Sequence, residues 1–314
     1  LRDICLMAIF PGSAIPSAAE DYTIDNSLRF NGADAAYLER TPSVAGNSKT
    51  FTYSCWFKRG NIDTTALQAA VLLNAEGVSP FSDSNQLLLY ILPSGTHEDK
   101  LRLTGAETSW RTTNQVFRDP SAWYHVVLAV DTTDSTAVDR IKIYVNGVLL
   151  TAADYALSAN PDLNEDLAVN STITQRIGRY DTQHYLDAYL AEVYLLDGSA
   201  LAASDFGELK STTNQWVPLD SDDVKAAVTF GTNGFYQKYG ATELATSFED
   251  SSSGFILTES ITANILVVAG GGSGGANYGG GGGAGGYRYF TGTSLPAGSY
   301  PVVVGAGAAA AAAD

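Results

Sequence analysis

"AWYHVVLAVDTT" (Ala122–Thr133), followed six residues later by "RIKIYVNGVLLT" (Arg140–Thr151), is the stretch whose reading decides the fold. In its second half Ile141, Ile143 and Val145 alternate with Lys142, Tyr144 and Asn146. A strand built this way has one apolar and one polar face. Asn146-Gly147 then supplies the two positive φ values of a type I′ turn, which predicts a hairpin. The first half is apolar on both faces, as expected of a strand in the middle of two packed sheets. A half-buried hairpin beside a fully buried strand implies a layered antiparallel β protein.

The surroundings follow the same plan. From Ser27 to about Leu209, short strand-like segments alternate with turn signals, the spacing of a β-sandwich. "FTYSCWFKR" (51–59) and "NQLLLYIL" (85–92) are further strand candidates. "YLDAYLAEVYLLD" (185–197) has a spacing that also allows a helix, but its tyrosines and the following Asp-Gly favour a strand. "SALAASDFGEL" (199–209) is the one candidate for a short helix, with Ser199 or Ser204 as its cap. Trp56 and Trp123 sit in apolar strands and are expected in the core. His125, inside "WYHVV", is expected to be a packed, hydrogen-bonded strand residue.

In this order the segments resemble the laminin-G-like, or concanavalin A-like, lectin/glucanase domain. "SLRFNGADAAYLER" (27–40) is similar to that family's opening strands, and "AWYHVVLAVDTT" with "RIKIYVNGVLL" to its central strand and hairpin. "QRIGRY" (175–180) and "YLDAYLAEVYLLDGSALAASDF" (185–206) resemble its closing strands and terminal helix. The resemblance covers roughly Ser27 to Leu209. It implies an all-β, jelly-roll sandwich, on a fold that hosts lectins, hydrolases and adhesion modules alike.

Composition bounds the function classes. The 314 residues carry 34 acidic against 18 basic side chains, a formal net charge of −16. Such a surface repels phosphate backbones and anionic lipid, so nucleic-acid and membrane-surface roles are disfavoured. No apolar run approaches the ~20 residues of a membrane-spanning helix. Cys5 and Cys55 are the only cysteines, too few for a disulfide framework, and both are expected reduced. The opening "LRDICLMAIFPGSAIPSA" has the outline of a signal peptide. Met7, the single methionine, is preferred as a natural start, leaving an extended arm over 1–26. The alanine run Ala308–Ala313 is assigned no role.

Beyond the expected sandwich (27–212) lies a polar, turn-rich connector (213–258), in which "AAVTF" (226–230) and "GFYQKY" (234–239) are strand-like. These two pieces either pair with each other or extend the sandwich. The last region, 259–314, holds three strand-like pieces around a tract, Gly270–Gly286, in which twelve of seventeen residues are glycine. A phosphate-binding loop would lead into a helix and carry Gly-Lys-Ser/Thr. Here the tract leads into "YRYFTGTSL", which is β-like. A structural role remains, with glycine letting backbones approach closely. The pattern is similar to glycine-rich segments of bacteriophage tail-fibre and appendage proteins.

Candidate chemistry is sparse. Glucanases of the resembled family set paired carboxylates on one strand face through Glu-x-Asp-x-x-Glu. This chain offers only Asp187 and Glu192, five apart, expected as solvated carboxylates at a sheet edge. No zinc-ligand spacing occurs, and the three histidines, His97, His125 and His184, lie apart. Catalytic residues are therefore expected to be none. Two binding ideas remain. Calcium is one: domains of the resembled fold often hold one such ion at a loop rim, and Asp83 and Asn85 in "FSDSNQ" are oxygen donors of the type it prefers. Turn formation explains those two residues equally well. Carbohydrate is the other, held by aromatic faces and planar polar groups. Its candidates are Trp110 in "AETSWRTTNQ" and Tyr180, His184 and Tyr185 in "RYDTQHYLD", all expected in loops.

The sequence thus leads to a non-enzymatic virion structural protein, a tail fibre, tail appendage or head-decorating protein, whose sandwich contacts host-surface glycan. Other virion proteins and further copies of itself, as a homo-oligomer such as a trimer, are the expected partners. A secreted carbohydrate-binding or adhesion module and a divergent glucanase are the alternatives.

Overall fold

The computed structural model describes residues 22–60, 62, 70–75, 86–92, 95–105, 108–180, 184–240, 250–252, 255–257, 261–268, 287–295 and 298–300. The chain divides into two compact units, Leu1–Glu249 and Asp250–Asp314. In the first unit the strands are β1 (Leu28–Phe30), β2 (Leu38–Arg40), β3 (Thr50–Arg59), β4 (Ala70–Ala75), β5 (Leu87–Ile91), β6 (Lys100–Gly105), β7 (Thr108–Val116) and β8 (Tyr124–Asp131). They continue with β9 (Ile141–Val145), β10 (Val148–Leu149), β11 (Tyr155–Ser158), β12 (Gln175–Ile177), β13 (Ala188–Asp197), β14 (Gly207–Lys210), β15 (Gln215–Pro218) and β16 (Phe235–Gln237). One helix, α1 (Ser221–Ala227), lies between β15 and β16. The second unit pairs β17 (Phe255–Leu257) with β20 (Gly298–Tyr300), and β18 (Ile261–Val268) with β19 (Tyr287–Leu295).

Two seven-stranded antiparallel sheets make the sandwich. Sheet 1 runs β1-β13-β3-β8-β9-β10, with β16 also paired to β13, and sheet 2 runs β11-β7-β6-β5-β4-β12-β2. Period-two alternation builds the core between them. Phe51, Tyr53, Cys55 and Phe57 of β3 and Val126, Leu128 and Val130 of β8 face Leu87, Leu89 and Ile91 of β5 and Leu101 and Leu103 of β6. Each such side chain, fully buried, contributes about 1.5–3 kcal/mol. Cys55 is a free thiol in this core, pushed up to about 12 by burial.

The double apolarity of β8 has a cause beyond the facing sheets. Its other side, with that of β13 and β16, is covered by the chain from Ser199 onward. Val127, Tyr194, Leu196 and Tyr236 pack there against Ala203, Phe206 and Val224, flanked by Leu201, Trp216 and Leu219. Of the stretch expected as a connector (213–258), the part up to Glu249 falls in the first unit and the rest in the second: β15 forms a hairpin with β14, and β16 extends sheet 1. "AAVTF" is not a strand. Asp220 caps α1 by accepting from the Asp222 amide, and Asp222 pairs with Lys225 at 2.7 Å, so an acidic first turn wins over β-like composition. The helix expected over 199–209 shrinks to one 3-10 turn at Ala203–Asp205, because Gly207 already enters β14.

The diagnostic hairpin forms with the expected turn, Asn146 at φ 47° and Gly147 at φ 81°. Gly147 meets a second demand, since a β-carbon there would stand 2.3 Å from the Trp216 ring. Gly147→Ala is predicted to lower stability by about 1–3 kcal/mol, combining αL strain with overpacking. Denaturant unfolding measures this, and an unchanged midpoint would show that Trp216 is not seated on the turn.

Candidate functional site

The two outer faces of the sandwich differ. On sheet 1 the outer face is closed over His125. Trp216 Nε1 donates to His125 Nδ1 at 2.9 Å, and His125 Nε2 lies 2.9 Å from Ser54 Oγ. Trp56 stacks on the imidazole with centroids 4.8 Å apart. Because Nδ1 accepts, the proton sits on Nε2 and is donated to Ser54. The ring therefore cannot take the Ser54 proton, so the Ser–His contact is not an activated nucleophile. Burial holds the imidazole neutral, lowering its pKa to about 3.

Both carboxylates considered for catalysis are engaged, not solvated as expected. Asp187 pairs with Arg29 at 2.7 Å. Glu192 is 4% exposed and lies at a bulge of β13 with φ 47°. Its carboxylate accepts from the hydroxyls of Tyr194 and Tyr236, both at 2.7 Å, and of Tyr22 at 3.0 Å. Burial raises its pKa against the pull of these donors. For Glu192 the cause is the layer after Ser199, which brings Tyr236 to it and turns an expected sheet edge into an interior.

On sheet 2 the outer face carries the candidate site. Register places two cross-strand rows there. One runs Glu39, Arg176, Asn74, Leu88 and Thr104; the other runs Val71, Tyr90, Arg102 and Thr112. Val71 and Leu88 form an apolar floor covered by Tyr90 and Tyr180. Polar groups flank it. Arg176 pairs with Glu39 at 3.2 Å, and Arg102 donates to Thr112 at 3.1 Å. Asn74 Nδ2 donates to the carbonyls of Arg179 and Tyr180, but Asn74 Oδ1 and Thr104 Oγ1, on either side of Leu88, are buried with no hydrogen-bond partner. Such groups cost free energy until a donor or acceptor reaches them.

The segment after β12 supplies the rim. Arg179 bridges to Tyr185, which sets Tyr180 beside His184 with ring centroids 5.7 Å apart. Arg179 stacks on the rings of Tyr37, at 4.6 Å, and Tyr185, at 5.8 Å. Of the expected carbohydrate residues, the structure thus gathers Tyr180, His184 and Tyr185, each partly exposed, around one edge of sheet 2. Trp110 does not join them. It lies in β7, 2% exposed, with its indole laid over Gly105 in the core, and so has no face to offer a ligand. Trp123, expected in the core, is 38% exposed because β8 begins one residue later; Trp56 is buried, but on the outer side of sheet 1. Asp83 and Asn85, the calcium candidates, lie outside the described residues, as does Cys5. No cluster of three or more metal-ligating side chains occurs among the described residues, and no helix there is long and apolar enough to cross a membrane. Sequence reading missed Asn74, Tyr90, Arg102 and Thr104. For Arg102 and Thr104 the signal was the alternation in "KLRLT"; the continuous apolar runs around Asn74 and Tyr90 carried none.

A family model described as the concanavalin A-like lectin/glucanases superfamily matches residues 30–206, more than half of the chain, and one described as a glycine-rich domain matches residues 250–314. No curated protein matches. Among solved structures, one is of botulinum neurotoxin type C, whose cell entry depends on interaction with two ganglioside molecules. It is 14% identical, with a TM-score of 0.32, covering 51% of this chain and 35% of that one. Another is a Trypanosoma rangeli sialidase in complex with sialic acid, at 16% identity and TM-score 0.34, covering 50% and 22%. A third is domain 4 of AbnA, a GH43 arabinanase of Geobacillus stearothermophilus, in complex with arabinotriose, at 16% and 0.34, covering 50% and 65%. The chain therefore spans less than two thirds of each.

The two buried titrating groups give the fold opposed pH dependences. Glu192, raised above its unfolded value of 4.5, favours the folded chain at low pH, and that contribution is lost as pH rises through the folded pKa. His125, lowered from 6.5 to about 3, contributes above pH 6.5 and loses it as pH falls towards 3. Glu192→Gln should therefore lose stability more steeply than the unsubstituted chain between neutral pH and pH 4.5. Parallel thermal-unfolding profiles would contradict the burial of Glu192.

Proposed function

The chain belongs to the concanavalin A-like lectin/glucanase superfamily, and from that premise we propose that it is a non-enzymatic protein that holds a saccharide on the outer face of sheet 2. The observation that carries this reading is the Tyr90–Tyr180 surface over Val71 and Leu88, flanked by the unpartnered Asn74 Oδ1 and Thr104 Oγ1. Aromatic faces take the C–H faces of a sugar ring, while amide, hydroxyl and guanidinium groups take its hydroxyls. Tyr180, His184 and Tyr185 extend the surface along the rim.

The glycine-rich unit that follows supports a structural setting for this module, that of a virion tail fibre, tail appendage or head-decorating protein meeting host-surface glycan. A virion role predicts that antibody against the sandwich labels intact particles. Label confined to particle-free culture fluid would favour a secreted adhesion module instead.

The binding claim is tested on a glycan array. Tyr180→Ala and Tyr90→Ala are expected to weaken the bound saccharide by about tenfold or more, as loss of an aromatic anchor does, whereas Trp123→Ala leaves binding unchanged. Equal binding by all three variants would place the ligand elsewhere. The same saccharides should release no reducing ends. Release that disappears in Glu192→Gln or Asp187→Asn would overturn the non-enzymatic reading.

A further inference from the structure

In the unit Asp250–Asp314 the longest elements, β18 and β19, pair with each other, and neither has a second strand neighbour among the described residues. A two-stranded ribbon is marginal in water unless its faces or edges are covered. The large side chains of β19 are uncovered: Tyr287 is 75%, Tyr289 57% and Phe290 43% exposed. Alternation puts Tyr287 and Tyr289 on one face and Phe290 on the other, so neither face is closed. Charge sets the ribbon apart as well. From Ser260 to Ala313, Arg288 is the single charged residue, in a chain of net charge −16.

We propose that the ribbon of a second copy of this chain covers this one. A ribbon with three large aromatic side chains this exposed gains from a cover, and its own copy is always present in equal amount. A two-fold contact sets the same residues against each other, so Tyr287 and Tyr289 of one copy meet the same aromatic face on the other. The near-neutral ribbon brings two copies together without the acid-to-acid repulsion that separates their sandwiches. One cation in a strongly acidic chain gives no attraction to an anionic lipid surface, which disfavours a membrane as the cover. The proposal is independent of the saccharide reading, because it concerns the other unit.

Sedimentation equilibrium of the full chain tests it. The expected mass is that of two or more chains, with association weakened at least about tenfold in Y287S/Y289S and retained in Y287F/Y289F. Amide exchange of the unsubstituted chain gives a readout that survives a misfolded variant: protection of residues 261–268 and 287–295 should rise with protein concentration. A monomer at every concentration, association unchanged in Y287S/Y289S, or concentration-independent protection would overturn the proposal. So would a monomeric chain that co-sediments with phosphatidylserine vesicles, which would assign the ribbon to a lipid surface.

Discussion

The arrangement of this protein depends on one constraint: the middle of sheet 1 is buried on both sides. Its inner face meets sheet 2 across the core, and its outer face around Val127, Tyr194, Leu196 and Tyr236 is closed by side chains from Leu201 to Phe230. The closure is specific as well as apolar. Trp216 is fixed by its hydrogen bond to His125, and Glu192 gathers Tyr22, Tyr194 and Tyr236 around one carboxylate. Asp197 fastens the far end, accepting from the amides of Asn47 at 2.7 Å and Asn233 at 2.9 Å. With that face spent on stability, ligand chemistry is left to sheet 2.

The polar groups of the two sheets show the same division. On sheet 1 each buried ionisable side chain has partners that fix its role: an imidazole in one tautomer, a carboxylate saturated with hydroxyl donors. On sheet 2 the polar side chains Arg176, Asn74, Arg102 and Thr104 stand in rows with Leu88, Val71 and Tyr90. Satisfied networks of the first kind rigidify a scaffold, whereas the partly exposed tyrosines and charged side chains of the second face are of the kinds that hold a saccharide.

Much of the fold was legible in local patterns. The Asn146-Gly147 turn, the alternation of β9 and the strand character of 185–197 follow from residue order, because each depends on neighbours within a few positions. What escaped depends on long-range contacts. Glu192 reads as a surface carboxylate until the layer beyond Ser199 is laid over it. Trp110 reads as a loop aromatic until Gly105 is seen to leave room for its indole. The α1 helix was signalled by Asp220, Asp222 and Asp223, a capping pattern outweighed at first by the β-like "AAVTF" that follows. Of the candidate site, the rim tyrosines were readable from their polar neighbours. The floor was not, because Tyr90 and Leu88 look like any core strand until Tyr180 is seen to pack on the side of the sheet away from the core.

The most direct measurement of this account follows the tyrosine ring resonances while surface oligosaccharides are titrated into the full chain. The account predicts shifts at Tyr90 and Tyr180, extending to Tyr185, with Tyr194 and Tyr236 beneath the cap of sheet 1 unmoved. Shifts confined to the capped face, with Tyr90 and Tyr180 silent while saccharide binds, would contradict it.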